Sequence, residues 1–239
     1  VAGWTFSFGA GGRDFWVLKL NSDGIVAWQK TYGGADWDEA CSIQRTSDGG
    51  YIVAGRTYSF GAGNYDFWVL KLNSDGTVSY QKTYGGANWD WANSIYQTSD
   101  GGYIVAGGTQ SFGAGGEDSW VLKLNSDGTV SWQKTYGGSS ADRAYSIQQT
   151  SDGGYIVAGF TASFGAGSGD FWVLKLNSDG TIPFNPASGA QMIDTSVVPA
   201  NTSATVTNTA VTGVNTSATV TNTSATVTDT NATIVQQAP

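Results

Sequence analysis

Carboxylates are the acid–base groups this chain has to work with: it carries 19 Asp and Glu against 11 Lys and Arg, one Cys and no His. Without histidine there is no Ser-His-Asp or Cys-His machinery and no imidazole ligand for a metal. Cys41 by itself excludes an intrachain disulfide framework, a cysteine zinc site and an iron–sulfur cluster. The carboxylates recur in step. Asp14, Asp66, Asp118 and Asp170 each follow a Ser-Phe-Gly-Ala-Gly stretch; Asp38, Asp90 and Asp142 each follow Tyr-Gly-Gly, and Asp194 falls on the same phase. Four such groups around an axis could hold a hard cation such as Ca²⁺. As loop residues they would instead accept backbone hydrogen bonds and fix the chain. A glycosidase pair needs an asymmetric site, whereas these carboxylates are copied into every unit, which points to scaffolding. The Ser-Phe-Gly-Ala-Gly stretch is no phosphate loop, since no Lys-Ser/Thr follows and no helix begins there. Neither an enzyme nor a cofactor is expected.

Differences between copies are more telling than likenesses. The segments after Tyr-Gly-Gly read ADWDEACS, ANWDWANS and SSADRAYS, which places Trp37, Trp89 and Trp91 on loops at one end of the units. Aromatic rings among Asn and Asp suit a carbohydrate-binding face, because sugar C–H faces stack on rings while polar groups fix hydroxyls. The alternative is that the rings tuck against a sheet edge. Trp4, Arg56, Gly108 and Phe160 share one phase and also vary. Cys41 shares its phase with Asn93 and Tyr145, which reads as an unspecialised free thiol.

The elements that position these residues follow from a repeat. Ser-Phe-Gly-Ala-Gly begins at Ser7, Ser59, Ser111 and Ser163, a period of 59 − 7 = 52. Each unit reads as four short strands, as in Ala92–Thr98, Tyr103–Gly107, Trp120–Leu124 and Thr129–Tyr136. They are rich in β-branched and aromatic residues and are bounded by Gly, Asn, Asp and Ser. Ser-Asp-Gly-Gly and Asn-Ser-Asp-Gly supply tight hairpins. No segment has a helical period. Four antiparallel strands in about 50 residues, repeated, are the mark of a β-propeller blade. Trp16, Trp68, Trp120 and Trp172 on the third strand, and Trp28, Tyr80, Trp132 and Phe184 on the fourth, read as filling between blades.

The register predicts how the ring closes. Val1-Ala2-Gly3 is in phase with Val53-Ala54-Gly55, so the first unit lacks its first strand. Opening at Val1 rather than Met suggests that an upstream segment has been removed or lost. Asp194 to Ser203, with Val197 and Val198, falls on the missing strand's phase, since 142 + 52 = 194. The expected architecture is all-β: a four-bladed propeller over residues 1–203, each blade four-stranded, one strand from the C-terminal side joining three from the N-terminus. This removes two open sheet edges. A fragment of a longer propeller, or a strand from a neighbouring molecule, are the other readings.

Residues 204–239 form a second region, a Thr/Asn/Ser/Val-rich tail with a seven-residue period. It lacks the Leu and charge pattern of a coiled coil. An odd period turns successive copies to opposite faces of a strand. The tail therefore reads as an extended, β-prone stalk or as strand material for assembly, reaching on the order of 115 Å if extended. Glycosylation sequons occur at Asn201, Asn215, Asn222 and Asn231 and nowhere in the repeats. The net charge of −8 leaves no basic face for nucleic acid. No uncharged apolar run approaches a membrane span, and no signal peptide is present.

The motif T-Y-G-G…D-x-A-x-S-I-x-x-T-S-D-G-G-Y-I-V-A-G-x-T…G-x-x-D-x-W-V-L-K-L resembles the β-propeller repeats of bacterial and archaeal secreted and cell-surface proteins, at about kelch length. The resemblance runs from residue 1 to about 182 and weakly to about 203. It implies a scaffold or adhesion module and supplies no catalytic residues. The expected function is a non-enzymatic extracellular or cell-surface structural protein that self-associates through its tail into an array or filament. A lectin-like binder of glycans at Trp37, Trp89 and Trp91 is the second reading.

Overall fold

The computed structural model describes residues 1–165 and 167–183, all in strands, turns and loops. Strands β1 (Ala2–Thr5), β2 (Asp14–Leu20) and β3 (Val26–Tyr32) form a first, three-stranded sheet. β4 (Asp38–Arg45), β5 (Tyr51–Thr57), β6 (Asp66–Leu72) and β7 (Val78–Tyr84) form the second. β8 (Asp90–Gln97), β9 (Tyr103–Thr109), β10 (Asp118–Leu124) and β11 (Val130–Tyr136) form the third. β12 (Asp142–Gln149), β13 (Tyr155–Thr161) and β14 (Asp170–Leu176) form the last. Every pairing is between chain neighbours and antiparallel, the topology of propeller blades.

The turns explain the pairing. Gly101 in Ser-Asp-Gly-Gly has φ +82° and Gly128 in Asn-Ser-Asp-Gly has φ +77°, a region that residues with a Cβ rarely enter. Each innermost strand carries a bulge, with register shifts between Ala40 and Ser42, Ala92 and Ser94, and Ala144 and Ser146. The residue pushed out is Cys41, Asn93 or Tyr145, which accounts for their variety. Such a residue is left out of the ladder and of the sheet face.

Neighbouring sheets stack face to face by one repeated scheme. Phe15 lies 4.6 Å from Trp68 and Phe67 lies 4.7 Å from Trp120, ring centre to ring centre. The hydroxyls of Tyr32 and Tyr84 donate to the carbonyls of Gly76 and Gly128 at 2.6 Å, and Tyr136 does so to Gly180 at 2.5 Å. Trp28 and Trp132 donate from Nε1 to Ser74 and Ser178 at 3.2 Å. The innermost strands are tied side by side: Gln97 N donates to Gln44 Oε1 at 2.6 Å, and Asn93 Nδ2 to the Ala144 carbonyl at 2.8 Å. Of the third-strand tryptophans, Trp68 and Trp120 are wholly buried between sheets, while Trp172 and Trp16 are half-buried. In the third interface Ser119 stands where Phe15 and Phe67 stand, so Trp172 packs on the apolar cluster there without a cross-sheet Phe and meets the ring of its own unit's Phe164, at 5.7 Å.

Among the described residues the four sheets do not close a ring, and the last sheet ends at β14. The expected closing segment, with Asp194, Val197 and Val198, lies outside the described residues. So do Phe184, the sequons at Asn201, Asn215, Asn222 and Asn231, and the tail.

Candidate functional site

The two ends of the sheets differ in chemistry. At one end lie the short polar turns; at the other, the long Ser-Phe-Gly-Ala-Gly and Tyr-Gly-Gly loops meet, and the register lines up Asp, Thr and Asp across each sheet. Asp90 sits opposite Thr109, and Thr109 opposite Asp118. Thr109 Oγ1 donates to Asp90 Oδ1. Asp90 Oδ2 accepts from Gly86 N at 2.8 Å and Ser111 Oγ at 2.7 Å. Asp118 Oδ2 accepts from Ala114 N at 2.9 Å and Gly115 N at 3.2 Å. Ser111 Oγ also accepts from Asn88 N at 3.1 Å, joining the two loops. The Phe of the same loop covers a strand-three tryptophan, Phe60 on Trp68 at 5.2 Å and Phe112 on Trp120 at 5.1 Å. Each conserved letter of the repeat is thus occupied in holding the loops.

This role buries the carboxylates and changes their acidity. Burial pushes Asp66 up to about 7 against the opposing Ala62 N–H, with the Asp90 charge adding to the rise. Asp14 is pushed up to about 6 in the same way, with Asp38 as its neighbour. Asp38, Asp90 and Asp118 are also raised, chiefly by burial. Asp14 Oδ1 and Asp66 Oδ1 are buried without a hydrogen-bond partner. They face Gly33 and Gly85, where a methyl group would collide with them. Among the described residues no three carboxylate or thiol groups converge at metal-binding spacing.

Above this row the copies diverge, and the divergent side chains meet. Glu39 is buried between Arg13 and Arg56; Arg56 Nε donates to its Oε2 at 2.7 Å. The Arg13 guanidinium lies over Trp4 at 4.2 Å and over Phe6 and Trp37 at 4.8 Å. Arg56 lies over Tyr65 at 5.0 Å, and Tyr65 meets Tyr58 at 5.2 Å and Trp89 at 5.3 Å. Glu39 therefore joins two aromatic clusters, one holding Trp37 and the other Trp89, which are 49% and 44% exposed. Trp91 stands apart and half-buried, 5.5 Å beneath Arg143, which pairs with the buried Glu117.

Sequence reading singled out the three tryptophans and missed the charges that organise them. The signal was present in the phase. Positions 13, 65 and 117 hold Arg, Tyr and Glu, while positions 39, 91 and 143 hold Glu, Trp and Arg. One ion pair recurs with its signs exchanged, two units apart, across equivalent junctions between sheets. At the opposite end, Gln44, Tyr96, Gln97 and Gln149 with two Thr-Ser turns line an uncharged polar concavity of about 540 Å³.

The repeat also has a family. Residues 46–78, 98–130 and 150–182 match a family described as a β-propeller domain of unknown function, DUF5122. Over these three spans the chain is similar to DUF5122 β-propeller repeats, spaced 52 residues apart. Each matched DUF5122 span runs from the first turn through the two central strands to the start of the fourth, the part that builds the sheet. Trp37, Glu39, Trp89, Trp91 and Arg143 lie outside the DUF5122 spans. The likeness therefore speaks for the fold. No curated protein matches the chain.

Proposed function

We propose that the chain is a non-enzymatic extracellular structural protein, its propeller units linked into a surface array or filament through residues 204–239. The observation that carries this reading is the use made of the carboxylates. Those with the chemistry for catalysis are buried under the loops and spent on pinning them, copy after copy. The sequons and uncharged composition of the tail fit an outer segment. The segment Asp194–Ser203 supplies the innermost strand that the first sheet lacks, closing the propeller. Electron microscopy of the full chain should display arrays or fibres that vanish when residues 204–239 are deleted; assembly undiminished by the deletion rejects the tail's role.

A second reading, a glycan-binding face, is favoured by the exposure of Trp37 beside Arg13 and of Trp89 beside Tyr65, on which Arg56 lies, since flat rings near held charges can stack and orient a sugar. A glycan array on the chain and on a variant with Trp37→Ala, Trp89→Ala and Trp91→Ala tests it. Loss of a signal in the variant supports the reading, and no signal from either protein retires it.

A further inference from the structure

Inside the stack, the first and second sheets offer a Phe-Val face and the third its Ser119-Val121 equivalent, each covered by a Trp-Leu face of the next sheet. Phe67 and Val69 are wholly buried under Trp120 and Leu122 of the third sheet. The last sheet carries the same Phe-Val face with nothing on it: Phe171 is 79% and Val173 51% exposed. The first sheet carries the matching Trp-Leu face, likewise uncovered: Leu20 is 43% exposed where Leu72 is wholly buried. Each end is the half that the other lacks. An open apolar face of this kind marks an interaction surface.

Among the described residues neither end face is covered by the chain itself. The contacts between successive sheets recur, with Phe–Trp separations of 4.6 and 4.7 Å and Tyr–Gly hydrogen bonds of 2.6, 2.6 and 2.5 Å, so the turn from sheet to sheet recurs too. Three quarter-turns would bring the last sheet against the first and lay Trp16 over Phe171. Among the described residues Phe171 is open, so Trp16 does not lie over it and an arc is left between the last sheet and the first.

We infer that a second copy of this chain fills that arc, the last sheet of each copy stacking on the first sheet of the other. Four sheets from each copy make a two-fold ring of eight, within the four to eight blades with which propellers commonly close. Both new junctions set a Phe against a Trp, as the first two junctions inside the chain do. The pairing deepens the assembly reading, because the ring is the unit that the tail would link, yet it does not depend on the tail.

The test is the mass of residues 1–239 in solution by light scattering or sedimentation. The chain should run as two copies. Phe171→Asp and Leu20→Asp should each give single copies with unchanged far-UV circular dichroism, since both positions are open in the single chain. Mixed together, these two variants should form one-to-one pairs, because one of the two junctions is then intact; neither variant pairs with itself. A single-copy mass for the unaltered chain, open chains longer than two, or a two-copy mass that either variant leaves unchanged overturns the inference. Loss of arrays on deleting the tail with the two-copy mass retained leaves it standing.

Discussion

Strands β6 and β14 have the same seven residues, Asp-Phe-Trp-Val-Leu-Lys-Leu, and opposite surroundings. Every side chain of β6 is buried, whereas β14 has Phe171 and Val173 open to solvent. β2, the third copy of the heptapeptide, is covered on its Phe-Val side and open on its Trp-Leu side. Burial here belongs to the neighbour rather than to the residue. A strand with two apolar faces needs a sheet on each, and only the second and third sheets have both.

The sharpest way to break this comparison is to remove the same ring in both places. Phe67→Ala should cost about 3–5 kcal/mol, as for a buried phenylalanine. Phe171→Ala should stay within about 0.5 kcal/mol in the single-copy state. Urea unfolding of dilute protein measures both, and equal losses would mean that the end faces are covered in the single chain.

Acidity sharpens the contrast next. Asp66 titrates near 7 and Asp14 near 6 in the folded chain, both above the ordinary value of 3.8. A raised carboxyl holds its proton longer folded than unfolded, so its contribution is fully present below about pH 4. That contribution is lost as pH rises to the folded value and is flat beyond it. Asp66→Asn should therefore gain on the unaltered chain between about pH 4 and 7, by on the order of 2–4 kcal/mol. Asp14→Asn should gain less and level off near pH 6. Thermal unfolding across pH measures this, and parallel profiles for variant and parent would overturn the assignment.

The exchanged ion pair comes third. Arg143→Glu alone leaves the buried Glu117 facing another carboxylate and should cost about 1–2 kcal/mol, discounted because Arg143 is partly exposed. Adding Glu117→Arg restores the arrangement of Arg13 and Glu39 and should recover most of the loss. A double variant no better than the single one would deny that the two junctions are equivalent.

The smallest effect separates two surface pairs. Asp48 is held down to about 2 by Lys71, whose side chain is 7% exposed. Asp152 pairs with Lys175, which is 38% exposed on the open last sheet. Asp48→Asn should cost about 1 kcal/mol and Asp152→Asn less, both read as denaturation midpoints. The Asp48 contribution is present above about pH 4 and disappears as pH falls toward 2.

Strand order, turn positions and the loop role of the aspartates were legible because each depends on local residue types. The Ser-Asp-Gly-Gly turn and the period-two strands leave little choice of pairing. The strands begin two residues earlier than composition suggested, at Asp90 and Asp118, because Thr109 between them extends the ladder. The bulges at Cys41, Asn93 and Tyr145 were hidden, since an extra residue in one strand appears only against its partner. The tryptophans of the loop face were recognised by type. Their link through Arg13, Glu39 and Arg56 was not, because those residues are distant in the chain and meet only when sheets stack.

The amino-acid order alone determined the repeat length, the four-strand unit, the hairpins and the lack of histidine, all of which follow from side-chain types within a few residues of one another. Tertiary structure alone decided which copies of one heptapeptide are interior, which carboxylates hold their protons to neutral pH, and that the stack ends in two unlike apolar faces. The physical reason is that burial and desolvation depend on what lies about 5–10 Å away across the sheets. Identical segments in successive units carry no record of which one stands last.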